Sequence, residues 1–168
     1  MSSVKWGYVL VLILFLLAPQ IFAANISFLV IETGIREGSP VNESSNLWET
    51  TLLDVFFDAG HIVSNAPIMS LPNPQGKELP DEARENLEDA LRGGADFFIV
   101  ALLDYQGAAA INSPKLKPQE VSLRLFSTNP YKIVYEQSYS ALMQSPGNDE
   151  LANAKRIVRM IIPHLGDR

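Results

Sequence analysis

Short apolar runs alternate with amphipathic segments along the chain, and this alternation predicts an α/β fold. Residues 26–32 and 95–103 are almost continuously apolar, which is typical of strands covered on both faces. Residues 121–125 alternate between apolar and polar side chains, as a half-buried strand does. The predicted order is β-α-β-α-β-β-β-α, with strands at 26–32, 61–64, 95–103, 119–127 and 131–141 and helices at 47–59, 81–92 and 149–165.

Local signals place the ends of these elements. Asn46 and Glu49 match a capping box, which predicts that the first helix starts at the next residue, and Gly60 ends that helix. Three aromatic residues of the helix stand at helical spacing and are predicted to lie in the core: Trp48, Phe56 and Phe57. Residues 65–80 contain four prolines and are predicted to hold no regular structure.

The order of the elements predicts a single α/β domain with a mixed sheet of about five strands and three helices. Helical crossovers between the first three strands make those strands parallel. The last two strands form a hairpin and add antiparallel partners. Strand 95–103 is predicted to be central, with Asp96 at its start and alternate side chains facing helices on both sides.

Residues 1–23 have the parts of a secretory signal peptide in order: a basic start, an uncharged apolar run at 9–18 and a small-residue exit. We therefore predict cleavage after Ala23 or Ala24 and an exported domain over residues 24–168. The alternative is an uncleaved membrane anchor, although the apolar run is shorter than the roughly 20 residues that span a bilayer. Only in that alternative would the chain touch the membrane.

Acidic side chains outnumber basic ones. Lys5 is the only one of the 13 basic residues that lies in the leader, so residues 24–168 carry 12 basic and 19 acidic side chains and a formal charge of −7. Nucleic-acid affinity comes largely from phosphate neutralisation, so this charge argues against a nucleic-acid partner. The absence of cysteine excludes disulfides, thiolate catalysis and cysteine-ligated metal.

Candidate catalytic and metal-binding patterns are weak. His61 and His164 are the only histidines, and Asp58 is the one potential ligand near His61, whereas a zinc site needs three or four ligands. The chain has no Gly-x-Ser-x-Gly motif, and Gly93-Gly94 precedes a predicted strand, unlike a phosphate-binding loop. We therefore predict no catalytic residue, no metal site and no cofactor, and a hydrolase is the least favoured interpretation.

Three segments carry a resemblance to known exported domains: residues 47–63, the run Gly94-Ala-Asp-Phe-Phe-Ile-Val, and Val121-Ser-Leu-Arg-Leu-Phe-Ser with Lys132-Ile-Val-Tyr. In these segments the chain resembles the group formed by the TolB amino-terminal domain, CsgG and the LpoB activator of peptidoglycan synthases. The resemblance implies an exported, non-enzymatic module of the cell envelope. The chain differs from the group in lacking a lipid-anchoring cysteine and in having Ala101 near a position where glycine often occurs.

Three long loops indicate where function lies. Parallel strands end at a common edge, and residues 33–46, 65–80 and 105–118 follow the first three strands. These loops exceed the usual length of about 2–6 residues, and long loops are either functional or disordered. The candidate binding residues are the polar Glu32, Arg36, Asn65, Asp104 and Tyr105 and the apolar Ala108 and Ile111.

The favoured partner is an envelope protein bound at this edge, and the alternative is a small molecule or glycan bound at the same edge. A deep polar pocket there would favour the small ligand. A shallow apolar patch that includes Ile68, Met69 and residues 108–111 would favour the protein partner.

Overall fold

The computed structural model describes residues 23–35, 38–71, 80–106, 116–140 and 149–166. Strands and helices alternate over these ranges, which confirms the predicted α/β class. The elements are β1 (Asn25–Thr33), α1 (Glu43–Asp58), β2 (Ile62–Asn65), β3 (Met69–Leu71), α2 (Asp81–Arg92), β4 (Phe97–Asp104), β5 (Glu120–Thr128), β6 (Tyr131–Tyr139) and α3 (Glu150–Arg159), followed by a 3₁₀-helix at Ile162–Gly166.

The strands form one mixed sheet in the order β2-β1-β4-β5-β6. β1 runs parallel to β4, from Ile26 beside Phe97 to Thr33 beside Asp104. β2 and β3 also run parallel to β1, whereas β5 and β6 add antiparallel pairs. The predicted mixed sheet is therefore confirmed.

β3 is a sixth strand, which corrects the prediction of no regular structure at residues 65–80. β1 pairs with β2 through its first half and with β3 through its last three residues. Pro67 lies between the two strands and has no N–H to donate, so the outer strand is interrupted there. Proline is tolerated at this point because β2 and β3 lie at the edge of the sheet.

β4 carries the core of the domain. Phe97, Ile99 and Ala101 belong to a buried cluster with side chains of α1 and α3. The alternate residues Phe98 and Val100 pack in a second cluster with side chains of α2. Helices thus cover β4 on both faces, as its continuous apolar run predicts.

Helix α1 begins earlier than the predicted capping box. Asn42 is the N-cap, and its side-chain oxygen accepts a hydrogen bond from the N–H of Ser44 at 3.1 Å. The predicted start after Asn46 is therefore wrong. At the other end, Gly60 has a φ of 86°, the left-handed conformation that glycine adopts readily after a helix.

The aromatic residues of α1 divide between core and surface. Trp48 and Phe56 are fully buried, as predicted, but Phe57 is 74% exposed. One residue along a helix turns the side chain by about 100°, so Phe57 points away from the face that Phe56 presents to the sheet. The core prediction for Phe57 is wrong for this reason.

The parallel strands define two ends of the sheet. The end at which β1, β3 and β4 finish is termed the carboxyl edge, and the end at which β1 and β4 begin is termed the amino edge. The connections that leave the carboxyl edge, residues 34–42, 72–80 and 105–119, all exceed the usual length of about 2–6 residues. Over the described ranges, no helix is long and apolar enough to cross a membrane.

Candidate functional site

The carboxyl edge brings together three of the predicted binding residues. Glu32 lies near the end of β1, and Asp104 and Tyr105 lie at the end of the neighbouring strand β4. Asn65 lies apart from them, because its partner in β1 is Phe28, four positions before Glu32. Three predicted residues fall outside the described ranges: Arg36, Ala108 and Ile111.

Glu32 is a fully buried carboxylate that joins three elements. Its Oε1 accepts the backbone N–H of Asn42 at 2.8 Å, and its Oε2 accepts the hydroxyl of Ser70 at 2.8 Å. β1 is thereby bonded to the start of α1 and to β3. The positive end of the α1 dipole also favours a negative charge at this position.

Tyr105 is buried beneath the same helix start. Its hydroxyl lies 2.9 Å from the Oγ of Ser45. Burial raises the pKa of Tyr105 well above its ordinary value, and the nearby charges of Glu32 and Glu150 raise it further, while the Ser45 hydrogen bond opposes the shift. Tyr105 therefore stays protonated at neutral pH and serves as a neutral hydrogen-bonding group.

Glu150 brings the start of α3 to the start of α1. The Oγ of Ser44 lies 3.1 Å from the Oε2 of Glu150 and 3.0 Å from the carbonyl oxygen of Leu116. A hydroxyl has one proton, so Ser44 donates to one of these acceptors at a time. The Oε1 of Glu150 is buried and has no hydrogen-bond partner within the described part of the chain.

Asp104 fixes the bases of two loops. Its Oδ1 accepts the backbone N–H of Gln106 at 2.8 Å and lies 3.3 Å from the Oγ1 of Thr33. Gly34 follows with a φ of 73°, and a Cβ there would lie 2.7 Å from the backbone nitrogen of Gln106. Only glycine allows the two loops to approach so closely.

The chemistry available at the carboxyl edge is hydrogen bonding. Glu32 and Asp104 accept bonds from the protein's own N–H and hydroxyl groups, so they hold the loop bases in place. Glu150 accepts from the hydroxyl of Ser44 in the same way and joins the start of α3 to this network. Among the residues that the structure describes, no three histidine or carboxylate side chains converge as a metal site would require.

Sequence reasoning missed the partners of these residues. Asn42 with Ser44 does follow the local pattern of a helix start, so that signal was present in the sequence. No local sequence signal marks Ser45, Ser70 or Glu150, because their bonds depend on tertiary structure. Ser44 and Glu150, for example, are 106 residues apart in the chain.

A second concave feature lies beside the sheet, between α2 and the outer strand β2. This lateral cleft has a volume of about 310 Å³. Its polar lining consists of Asn25, Ser27, Ser64, Asn65, Asn86 and Asp89. Its apolar lining includes Ala66, Pro67, Ala90 and Ala95. Asn65, the predicted binding residue that lies apart from Glu32, thus faces this cleft.

The fold and this edge define a small α/β domain with a mixed sheet, helices on both faces and a hydrogen-bonded loop base. The chain belongs to a protein family that is described as "Uncharacterised protein", whose model matches residues 28–143 and thus more than half of the chain. No curated protein matches the chain.

Solved structures with a similar topology come from several bacteria. The PelC dodecamer from Paraburkholderia phytofirmans is 11% identical, with a TM-score of 0.44 over 85% of this chain and 87% of that chain. TolB from Acinetobacter baumannii is 10% identical, with a TM-score of 0.42 over 85% of this chain and 29% of that chain. Lipoprotein GNA1162 from Neisseria meningitidis is 11% identical, with a TM-score of 0.35 over 85% of this chain and 99% of that chain. TolB is a member of the group that the sequence is predicted to resemble and is among these structural neighbours, and the likenesses concern the fold alone.

Proposed function

We propose that this chain is an exported, non-enzymatic module of the cell envelope that binds a partner protein through its carboxyl edge. The observation that carries the proposal is the construction of this edge. Three long connections leave it, and side-chain bonds between distant parts of the chain hold their bases. Binding sites are commonly built on loops that a rigid scaffold positions.

The hydrogen-bonding pattern supports binding rather than catalysis. Glu32, Asp104 and Tyr105 are engaged by the protein's own groups, so they position the loops instead of presenting an acid, a base or a nucleophile. The negative charge of the chain favours a partner with basic groups at its surface.

Site-directed photo-crosslinking in intact envelopes tests this proposal. Val41, in the loop before α1, and Leu91, near the end of α2, are each 39% exposed and form a matched pair of attachment sites. A crosslinker at Val41 is expected to capture one defined protein, and a crosslinker at Leu91 is expected to capture none. Capture from Leu91 alone, or no protein captured from Val41, would contradict the proposal.

Shortening residues 108–114 to a tight turn gives a second test. Loop closure entropy changes slowly with length, so a shortened loop is expected to leave the melting temperature nearly unchanged while partner capture is lost. Charge reversal at Lys155 and Arg159 on α3 is the control and should leave capture intact. Retained capture in the shortened chain, with loss in the α3 variant, would place the interface elsewhere.

The lateral cleft favours a second candidate, a small polar ligand such as a glycan. Its serine, asparagine and aspartate side chains can exchange hydrogen bonds with hydroxyl groups, and its volume lies at the lower end of ligand sites. Titration with an N-acetylglucosamine oligomer, followed by NMR, tests this candidate. Ser64→Trp should block the cleft and abolish the chemical-shift changes. The control is Ser138→Trp, at an exposed serine on the opposite edge strand, and it should leave these changes intact. Unchanged spectra of the parent protein would exclude this ligand.

A further inference from the structure

We infer that the mature chain begins at Ala24 and that its new α-amino group is held by the imidazole of His61. The inference concerns processing rather than the partner, and it shares with the proposed function only the assumption of export. It rests on the bonds that the structure makes at residues 24 and 25, at the start of β1.

Among the described residues, which start at 23, Ala24 is the first whose side chain packs in the core. Ala23 is exposed, whereas Ala24 is only 2% exposed and packs in the main core cluster. The carbonyl oxygen of Ala24 accepts the N–H of Ile62 at 2.9 Å, which extends the pairing of β1 with β2 by one bond. A chain cut before Ala24 therefore keeps every one of these contacts.

His61 supplies an acceptor for the nitrogen of Ala24. The two atoms, Ala24 N and His61 Nδ1, are 3.1 Å apart, and the N–H donates to the imidazole. An imidazole that accepts at Nδ1 is neutral and carries its proton on Nε2. The ring also lies against Phe56, at a centroid distance of 6.4 Å, and burial lowers the pKa of His61, which favours this neutral form.

Processing would leave this hydrogen bond in place. Hydrolysis of the Ala23–Ala24 peptide bond consumes one water, leaves a carboxyl group on Ala23 and leaves an amino group on Ala24. The nitrogen atom that donates to His61 is the same before and after the cut. The new ammonium group therefore has an acceptor without any backbone movement.

A cut one residue later would give a different result. The nitrogen of Asn25 lies 2.9 Å from the Oδ2 of Asp96, so a chain starting at Asn25 would form an ion pair there. That chain would lose the buried side chain of Ala24 and would leave the N–H of Ile62 without its acceptor. Asp96 is only half-buried, and an ion pair in such a setting contributes little, whereas the buried side chain of Ala24 would be lost outright, so the fold favours the cut after Ala23.

The first experiment is the intact mass and amino-terminal sequence of the full 168-residue chain after production in an exporting bacterial host. We expect a single product that starts at Ala24. A start at Asn25, at Met1 or at any other residue would overturn the inference. Photo-crosslinking at Val41 reports on the partner separately, so failure of one proposal is distinguishable from failure of the other.

The second experiment tests the role of His61 through the reactivity of the α-amino group. His61→Phe preserves an aromatic ring beside Phe56 but removes the acceptor, while His164→Phe changes the other histidine as a control. Labelling of the amino terminus should become roughly two- to tenfold faster in His61→Phe, because the loss of one hydrogen bond changes an equilibrium by about this factor. It should not change in His164→Phe. Equal labelling rates in the parent and His61→Phe would show that the amino group is not held by His61.

Discussion

The two edges of the sheet are stabilised by different kinds of bonds. At the amino edge, side chains bond mainly to backbone: the Oδ2 of Asp96 accepts the N–H of Asn25, and the Oγ1 of Thr128 donates to the carbonyl of Ala95. At the carboxyl edge, buried side chains bond to backbone, as Glu32 does to Asn42, and also to one another, as in the Ser45–Tyr105 pair. Backbone groups are present whatever the sequence, so the amino edge depends less on residue identity. The bases of the long loops at the carboxyl edge therefore depend on particular buried side chains.

Both edges rest on one core, and the largest expected effect comes from breaking it. Ile99→Asp places an unpaired carboxylate at a fully buried position of β4. The expected cost is several kcal/mol, against a total stability of about 5–15 kcal/mol, so the domain should unfold. Thermal unfolding followed by circular dichroism measures the effect. The same substitution at Ile133, which is 52% exposed, should change stability by no more than about 0.5 kcal/mol.

A comparison of one carboxylate at each edge tests the contrast directly. Glu32→Leu leaves the N–H of Asn42 and the hydroxyl of Ser70 without their acceptor, and should lower the free energy of unfolding by about 1–3 kcal/mol. Glu32→Gln retains one acceptor oxygen and should cost less. Asp96→Leu should also cost less, because Asp96 is only half-buried and water can replace it. If urea unfolding shows equal losses of unfolding free energy for Glu32→Leu and Asp96→Leu, the two edges do not differ in their dependence on side chains.

Tyr105→Phe sharpens the comparison at a single hydroxyl. Loss of the bond to Ser45 should lower stability by about 0.5–1.5 kcal/mol at neutral pH. Burial raises the pKa of Tyr105 above its unfolded value of 10.0, so its contribution is complete below pH 10 and is lost as pH rises toward the folded pKa. The parent protein should therefore lose stability above pH 10 more steeply than Tyr105→Phe. Tyr131→Phe, at a 56% exposed tyrosine, is the control and should leave that slope unchanged.

The smallest expected effect is a loss of stability in acid that depends on His61 at the amino edge. Burial lowers the pKa of His61 from 6.5, so the folded state takes up a proton less readily than the unfolded state. The contribution of His61 is complete above pH 6.5 and is lost as pH falls through the folded pKa. Denaturant midpoints measured across this range should fall in the parent protein and should fall less in His61→Phe. If His164→Phe flattens the profile and His61→Phe does not, the acid sensitivity lies outside the amino edge.

Elements dictated by local pattern were predictable. The continuous apolar run of β4 indicated a central strand, and its alternate residues indeed pack against helices on both faces. Gly60 marked the end of α1 because few other residues adopt its conformation. Where a run of side chains determines the structure, the sequence alone was enough.

Elements that depend on distant partners were not predictable. The true start of α1, at Asn42, competes with a plausible local alternative at Asn46, and the bond from Glu32 in β1 favours the former. β3 has three residues, too few for a periodicity signal, and forms through its pairing with β1. The same reason hides the candidate site: Glu150 bonds to Ser44 across 106 positions, a separation that no local pattern records.

The direction of β1 also determines which way the domain faces when it is tethered. β1 enters the sheet at residue 25 on the amino edge and reaches the carboxyl edge at residue 33, a distance of about 26 Å at 3.3 Å per residue. A chain attached to a bilayer, a bead or a sensor chip through residue 23 would therefore stand on its amino edge. Its carboxyl edge would face away from the support. Immobilisation through the amino terminus is thus the orientation of choice for measurements on the carboxyl edge.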